Sequence, residues 1–290
     1  MHAILELAEK KTVIFDGAMG TMLIAAGLKA GDSPELWNLE KPSVIMNIHR
    51  KYYEAGSDVV HTNTFGGNAI KLADKGLSDK TESINMEAAS LAREACPGGK
   101  FVAGDIGPTG RLVKPLGDLV IEEAEEAFFQ QAQALVKGGV DLISIETMFS
   151  LDEALAALRA VKRLGRVPVI AALTFNRTKK GFFTVMGEGV NQAVSAFEGA
   201  GADVIASNCT LGSRDMIDLT KDLRAVTTKP ILIQPNAGKP VTQKGVTTYQ
   251  QTPAEFAEDG RRIKDAGANM IGGCCGTDPD FIKELVRALA

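Results

Sequence analysis

The stretch from 141 to 164, DLISIETMFSLDEALAALRAVKRL, holds a short apolar run followed by a segment with apolar residues at helical spacing. The run DLISIET is too continuously apolar to alternate between a buried and an exposed face. This pattern is typical of a parallel strand that is buried on both sides. Because the strand precedes a helix, the stretch predicts one strand–helix unit of a parallel α/β protein.

The same unit recurs along the whole chain. Apolar runs begin at Thr12, Asp58, Lys100, Asp141, Val167, Asp203, Pro230 and Asn269. The helical segments cover 42–55, 82–96, 122–136, 151–164, 190–199, 216–226, 252–266 and 279–290. Such repetition in 290 residues predicts an α/β fold of the (β/α)₈ TIM-barrel type, as a single domain over 1–290. A doubly wound open sheet is the alternative, but it seldom needs eight regular repeats.

Composition and charge exclude several classes of protein. Hydrophobic residues make up 45% of the chain, which is enough to bury a sizeable core and excludes general disorder. The net charge of -4 favours neither a nucleic acid nor an anionic membrane as partner. No apolar run is long enough to span a membrane, and the charged N-terminus is unlike a secretory signal. We therefore expect a cytoplasmic protein with reduced cysteines.

The predicted C-terminal ends of the strands are rich in polar residues. In a TIM barrel the chemistry takes place at these ends. The residues concerned are Asp16-Gly17, Thr62 to Phe65, Asp105, Glu146-Thr147, Thr174 to Asn176, Asn208 to Thr210, Gln234 to Asn236 and Gly272 to Gly276. The longer connections 29–39 and 177–188, after the first and fifth strands, are candidate active-site loops.

Three cysteines lie at these ends. Cys209 ends the sixth strand, and Cys274 and Cys275 end the eighth. These strands flank the seventh, so the three thiolates can converge into a site suited to Zn²⁺, provided that the neighbouring glycines let the backbone turn. Three small buried residues, or a disulfide between the adjacent cysteines, are the alternatives. Cys96, at a helix end, is expected to be structural.

Three protein ligands leave one position of a zinc ion open, which is typical of a catalytic site. A thiol is the natural substrate for such a site because coordination holds it as a thiolate. The sequence therefore predicts alkyl transfer to sulfur. Asp16 and Glu146 are candidates to pair with a substrate ammonium group, and the backbone near Gly17 can receive a carboxylate. Asp105 is expected either to bind substrate or to brace the loop that follows it.

The remaining polar candidates leave two readings open. Asn63, Asn208 and Asn236 are expected to be either ligand contacts or structural amides. His61 is expected to be a core histidine with its hydrogen bonds satisfied, and His49 to be a surface or packing residue.

The polar motifs together resemble the homocysteine S-methyltransferase family, and within it the homocysteine-binding barrel of the cobalamin-dependent methionine synthases. The motifs that carry the resemblance are DGAMGTML at 16–23, TNTFG at 62–66, DIGPTG at 105–110, Glu146-Thr147, Asn208-Cys209, PNAGKP at 235–240 and GGCCGT at 272–277. They cover essentially the whole chain. The resemblance implies a TIM barrel that makes methionine from homocysteine.

The resemblance also implies a role for each matching residue. Cys209, Cys274 and Cys275 would bind Zn²⁺, with the homocysteine sulfur as fourth ligand. Asn236 matches the position that can take the fourth site when substrate is absent. The amino-acid end of homocysteine would be held at Asp16, Gly17 and Glu146, with Thr64, Asp105 and Asn208 as further substrate-binding candidates.

The motifs do not specify the methyl donor. The cobalamin-binding pattern Asp-x-His-x-x-Gly is absent, and the chain stops after the eighth predicted helix. We therefore expect methylcobalamin on a separate corrinoid protein, unless the chain is a fragment. S-methylmethionine and betaine are alternative donors, although betaine needs an aromatic cage for which only Trp37 and Tyr52-Tyr53 remain candidates. A non-catalytic zinc- and thiol-binding subunit, or an enzyme for another thiol or selenol, is the rival interpretation.

Overall fold

A ring of eight parallel strands forms the centre of the computed structural model, which describes residues 2–165, 167–243 and 246–290. The strands are β1 (Val13–Ile14), β2 (Val59–His61), β3 (Phe101–Ile106), β4 (Leu142–Met148), β5 (Val169–Leu173), β6 (Val204–Gly212), β7 (Ile231–Asn236) and β8 (Met270–Ile271). Each strand starts one or two residues after its predicted start, so the predicted strand pattern is confirmed.

Eight helices alternate with these strands and pack around them. They are α1 (Pro42–Ala55), α2 (Thr81–Ala95), α3 (Ile121–Lys137), α4 (Leu151–Lys162), α5 (Val190–Gly199), α6 (Ser213–Arg224), α7 (Pro253–Asp265) and α8 (Pro279–Leu289). The (β/α)₈ barrel is therefore confirmed. Helix α6 begins three residues before its predicted start because Ser213 is held by a buried hydrogen bond to Asp259 at 2.7 Å. A pattern of apolar residues cannot predict this first turn of α6, because its residues are polar.

The barrel closes between its first two strands. The remaining neighbours pair in the order β1-β8-β7-β6-β5-β4-β3-β2. Phe15 and Val59 form a parallel bridge, and the Asp58 N–H donates to the Ile14 carbonyl at 2.6 Å. The Asp58 carboxylate also accepts a bond from the Ile14 N–H and pairs with Lys11 and Lys100, each at 2.8 Å. This buried acid thus holds the N-terminal ends of the strands together.

The core has two layers, one inside the barrel and one between the strands and the helices. Inside the barrel, Phe15 belongs to a cluster that includes apolar residues from all eight strands. A helix at Ala3–Lys10 places Ile4 and Ala8 against this inner cluster and so covers the N-terminal end of the barrel. Because that end is filled with apolar side chains, any ligand must enter at the opposite, C-terminal end.

Further short elements lie in the connections. They are helices at Met19–Ala25, Trp37–Glu40 and Ala69–Ala73, and hairpins formed by Asn176–Thr178 with Gly181–Phe183 and by Pro240–Gln243 with Val246–Tyr249. The two predicted active-site loops thus contain a helical turn and a hairpin. None of the helices in the described part of the chain is long and apolar enough to cross a membrane.

Candidate active site

The interior of the barrel changes from apolar to polar towards its C-terminal end. Alternate side chains of each strand point inward. Val59, Ala103 and Leu142 belong to the apolar inner cluster. The inward positions beyond this cluster are polar, namely His61, Asp105, Glu146, Asn208, Gln234 and Asn236. The barrel therefore opens onto a polar mouth at the end where catalysis takes place in this fold.

Three thiols meet at this mouth. The Sγ atoms of Cys209, Cys274 and Cys275 all lie within 4.8 Å of one another, and those of Cys209 and Cys275 are 3.9 Å apart. A tetrahedral zinc with bonds of about 2.3 Å places its sulfur ligands about 3.8 Å apart. The cluster therefore fits a zinc ion with small adjustments. All three thiols are free and partly exposed, so neither a disulfide nor simple burial accounts for them.

A distorted strand end directs the first of these thiols. Cys209 and Thr210 adopt positive φ angles of 60° and 59°, and the register between β6 and β7 shifts between Asn208 and Gly212. Non-glycine residues with positive φ are uncommon and concentrate at functional sites. The bulge breaks the alternation of side chains, so that both Asn208 and Cys209 can serve the mouth.

A glycine-flanked turn directs the other two thiols. Strand β8 ends before Gly272, and Gly276 has a φ of 84°. The Cys274 N–H donates to the Pro235 carbonyl at 2.7 Å, and the Cys275 carbonyl accepts the Ala237 N–H at 2.9 Å. The turn is therefore tied to β7, and the predicted backbone reversal between the two cysteines and the strand is present.

The three thiols share their protons unevenly. Hydrogen bonds from the Cys209 and Cys274 thiols lower the pKa of Cys275. Contacts with the Cys209 and Cys275 thiols, together with burial, raise the pKa of Cys274 well above its usual range. The close approach of the three thiols therefore favours a thiolate within the cluster. A soft cation that replaces the two remaining protons is the natural partner for such a group.

Asn208 connects the thiols to an acidic group. Its amide Nδ2 donates to Glu146 and to the Thr147 hydroxyl, the latter at 2.7 Å, and lies 3.9 Å from the Cys274 Sγ. Its Oδ1 accepts the Thr147 N–H at 2.8 Å. Thr147 itself has a φ of 54° at a bulge in β4. Asn208 therefore fixes the relative positions of β4, β6 and the cysteine turn.

Asp105 and Glu146 form an acidic pair at the mouth. Burial raises the pKa of Asp105 well above its usual range, and the charge of Glu146 raises it further. Burial also raises the pKa of Glu146, although the charge of His61 opposes this. The two buried acids therefore hold fewer negative charges than two exposed carboxylates would. The Oδ1 atom of Asp105 has no partner within the described residues.

Asp16 and His61 form a second pair. The Asp16 Oδ2 accepts the His61 backbone N–H at 2.8 Å, and its Oδ1 lies 2.7 Å from the His61 Nδ1. Burial lowers the pKa of His61, but the Asp16 carboxylate outweighs burial, so the pKa is raised overall. The His61 Nε2 is buried with no partner in the described part of the chain. The prediction that His61 is a core histidine with all its hydrogen bonds made is therefore wrong for Nε2.

Gly17 and Thr64 lie beside this pair and have different roles in the structure. A Cβ at Gly17 would come within 2.7 Å of the Thr277 hydroxyl and 3.1 Å of Tyr52, so only a bare backbone fits. The Thr64 hydroxyl donates to the Asp105 carbonyl at 2.7 Å and lies 2.6 Å from the Thr62 hydroxyl. Thr64 therefore braces β3, since its hydroxyl is engaged within the protein.

Asn236 ends β7 between the two groups of cysteines. Its side chain is buried, and its Oδ1 has no partner among the residues that the structure describes. A buried amide oxygen without a partner is rare and indicates a missing ligand, ion or water. The position and chemistry of this atom are consistent with a fourth metal ligand beside three thiolates.

His49 and Cys96 lie away from the thiol cluster, whereas Tyr249 lies beside the cysteine turn although the sequence did not single it out. His49 is fully buried in α1, where burial lowers its pKa to about 3, in line with a packing role. Cys96 follows α2 and takes no part in the thiol cluster. Tyr249, from the second hairpin, packs against Gly276 in the cysteine turn. No signal in the sequence links Tyr249 to residues so far along the chain.

The rim around the mouth is partly apolar. Exposed large apolar side chains follow five of the strands, namely Ile24, Phe65, Leu112, Leu116, Phe149 and Val185. A cavity of about 390 Å³ lies among the loops after β3, β4 and β5, and none of the three clustered cysteines lines it. The rim therefore offers apolar surface beside the polar mouth.

Comparison with known proteins places this site in a family. The family model described as homocysteine S-methyltransferase matches residues 13–289. The methionine synthase of Mycobacterium tuberculosis is 34% identical over 305 residues, which cover 99% of this chain and 25% of that protein. The methionine synthase of Mycobacterium leprae is 33% identical with the same coverage. The chain thus spans about a quarter of the length of the curated relatives it matches.

Solved structures show the same architecture. The metallated form of the homocysteine methyltransferase MmuM from Escherichia coli has a TM-score of 0.82 and 24% identity, covering 98% of this chain and 99% of that one. A methyltransferase from Methanosarcina mazei has a TM-score of 0.63 and 13% identity, covering 99% and 96%. At these identities the likeness concerns the fold. On the family match over nearly its whole length, the chain belongs to the homocysteine S-methyltransferase family.

Proposed function

We propose that the protein is a zinc-dependent homocysteine S-methyltransferase that forms methionine. The observation that carries the proposal is the convergence of the Cys209, Cys274 and Cys275 thiols within 4.8 Å at the barrel mouth. Zinc would be held by these three sulfurs, and the Asn236 amide oxygen, which has no partner among the described residues, would take the fourth position when substrate is absent. When bound, zinc would hold the substrate thiol as a nucleophilic thiolate at neutral pH.

The acidic mouth supports an amino-acid thiol as substrate. Glu146 is linked to the thiol cluster through a single side chain, that of Asn208. It can accept hydrogen bonds from the substrate ammonium group. The Asn208 amide holds Glu146 in place, and the bare backbone at Gly17, next to Asp16, can approach the substrate carboxylate. An amino acid bound in this way directs its side-chain sulfur towards the cysteines.

Within the site, the chain orients the nucleophile for in-line attack. The substrate sulfur forms a bond to the methyl carbon as the bond from that carbon to the donor breaks. The electron pair of the broken bond leaves with the donor, and the thiol proton passes to solvent. Asn208 and the two bulged strands hold Glu146 and the thiols at fixed separation. Orientation of this kind accounts for a large part of the rate gain in bimolecular transfers.

For the methyl donor we propose methylcobalamin bound to a separate corrinoid protein. Two observations support this choice. The relatives that match over 99% of this chain are named methionine synthase and are about four times longer. The rim carries exposed apolar residues such as Phe65 and Phe149, at 41% exposure each, on which a donor protein can dock.

Other donors have less support. A betaine site needs aromatic faces around the quaternary ammonium group. Trp37, Tyr52 and Tyr53 are buried, and the two tyrosine hydroxyls donate to the carbonyls of Ala18 and Phe101. S-methylmethionine remains the second candidate donor, since the MmuM structure shows that the same fold serves a homocysteine methyltransferase of this length.

A donor panel tests the proposal. Zinc-loaded protein with homocysteine is supplied with methylcobalamin, S-methylmethionine, betaine or methyl-folate, and methionine is measured. We expect turnover with methylcobalamin alone. Turnover with S-methylmethionine or betaine would overturn the donor assignment and leave the enzyme class intact. Homocysteine binding without turnover, even with methyl-corrinoid proteins, would favour a non-catalytic zinc- and thiol-binding subunit.

A further inference from the structure

The barrel mouth holds three carboxyl groups and one imidazole. None of the residues that end the eight strands is a lysine or arginine. The nearby cations Arg111 and Arg177 are exposed and pair with Asp118 and Asp215 on the outer rim. His61 is therefore the one basic side chain among the strand-end residues of the described chain. An amino-acid ligand brings a carboxylate as well as an ammonium group into this mouth.

The hydrogen bonds of His61 fix which of its nitrogens faces the ligand. Asp16 accepts hydrogen bonds from both the backbone N–H and Nδ1 of His61, so Nδ1 carries a proton and the ring cannot turn freely. The ring packs against Phe15, with centroids 5.3 Å apart. This leaves Nε2 on the inward side, buried and without a partner within the described residues.

The charges around the ring favour its protonated form. Burial opposes protonation of His61, but the charges of Asp16, at the end of the first strand, and of Glu146 on β4 raise its pKa. The neighbouring His49 of α1, whose pKa is lowered to about 3 by burial, is neutral and adds no charge. Asp105 faces the same mouth, but burial raises its pKa well above its usual range. A protonated His61 therefore presents a buried N–H donor with no acceptor, which is costly unless a ligand supplies one.

We propose that His61, held by Asp16, binds the α-carboxylate of the amino-acid ligand and so makes the site selective for amino-acid thiols over simple amines and thiols. The inference rests on the proposed function, since it requires an amino acid at the mouth. Glu146 then binds the ammonium group and His61 the carboxylate, with the backbone at Gly17 beside them. Asp16 acts on the ligand through His61, as a positioning residue.

The test compares two ligands that differ only in the carboxylate. L-methionine and 3-(methylthio)propylamine share the thioether and the ammonium group, and neither carries a titrating thiol. Their dissociation constants are measured by calorimetry on the wild-type protein and on His61→Gln. We expect His61→Gln to weaken methionine binding about 10- to 100-fold, the range for a hydrogen bond to a charged group. Binding of the amine should change less than about twofold.

Controls separate this role from a structural one. Arg111→Gln removes a positive charge from the outer rim and should leave both dissociation constants unchanged. Zinc content and the thermal midpoint of His61→Gln show whether the fold is intact. Equal weakening of both ligands, or no weakening of methionine, would overturn the role of His61. If wild-type protein binds neither ligand, the proposed function itself fails.

A measurement on the wild-type protein covers the case in which His61→Gln does not fold. A charge on His61 that stabilises the bound carboxylate is present below the His61 pKa and is lost as pH rises through it. Methionine affinity should therefore fall over that window while amine affinity does not. With only three histidines in the chain, ¹⁵N spectra can report the protonation of His61 directly. Parallel pH profiles for the two ligands would contradict the inference.

Discussion

Replacing Gly272 with Ala tests whether close packing between β1 and the cysteine turn positions the thiols. A Cβ at this position would lie 2.7 Å from the Phe15 Cβ and 2.9 Å from the Asp16 carbonyl oxygen. Ordinary contact begins near 3.4 Å, so the turn and β1 must separate by about 0.7 Å. Neither neighbour is the flexible end of a side chain, so the backbone itself has to move.

The expected cost follows from this displacement. Overpacking of a core costs about 1–3 kcal/mol, which lowers the thermal midpoint of a domain of this size by about 2–5 °C. Because Cys274 follows two residues later and is anchored to β7, the shift also changes the distances between Cys209 and the other two thiols. Zinc affinity should therefore fall as well. Calorimetric melting and zinc titration against a chelator measure both effects.

Gly199→Ala is the matched control for this substitution. Gly199 ends α5, and no heavy atom lies within 4 Å of a Cβ built there. The same chemical change should leave zinc affinity unchanged. It should leave the free energy of unfolding unchanged or raise it by up to about 1 kcal/mol, so the thermal midpoint should not fall. A Gly272→Ala protein that melts and binds zinc like the wild type would refute the packing argument.

Three further outcomes are expected. Cys274→Ala should lose bound zinc and methyl transfer while keeping the wild-type circular dichroism spectrum; retained zinc and turnover would show that the ligand set is wrong. Glu146→Gln should keep zinc but bind homocysteine about 10-fold more weakly, as calorimetry can measure, and unchanged affinity would remove its ammonium role. Asp58→Asn should lose about 1–3 kcal/mol at pH 7, because hydrogen bonds from Lys100 and Lys11 outweigh burial and lower the pKa of Asp58. A lowered folded-state pKa stabilises the protein above the unfolded value, so the difference from wild type in urea unfolding should shrink as pH falls below about 4; a constant difference would contradict this.

The sequence predicts the barrel well because its strands are continuous apolar runs separated by amphipathic helices. The convergence of Cys209 with Cys274 and Cys275 also follows from topology, since strands six and eight flank strand seven. What the sequence could not show is local backbone geometry. The positive φ angles at Cys209 and Thr147 depend on bulges that no residue type at those positions signals.

Contacts between distant residues were also beyond sequence reasoning. Asp16 and His61 are 45 residues apart, and each alone has an ordinary structural interpretation. Only the closure of β1 against β2 brings the carboxylate to the imidazole, and Nε2 then has no partner in the described part of the chain. Tyr249 reaches the cysteine turn at Gly276 from a hairpin whose strands carry no strong apolar pattern. These contacts determine the charge and shape of the site. They cannot be predicted from how far apart the residues are along the chain.

Zinc X-ray absorption spectroscopy, with and without homocysteine, tests the central claim most directly. Before homocysteine is added, the metal in the zinc-loaded protein should show three sulfur neighbours, from Cys209, Cys274 and Cys275, and one oxygen or nitrogen neighbour. After homocysteine is added, the account predicts four sulfur neighbours. A sulfur count below three without substrate, or one that does not rise when homocysteine binds, would contradict the claim that these thiols hold a zinc ion that activates the substrate sulfur.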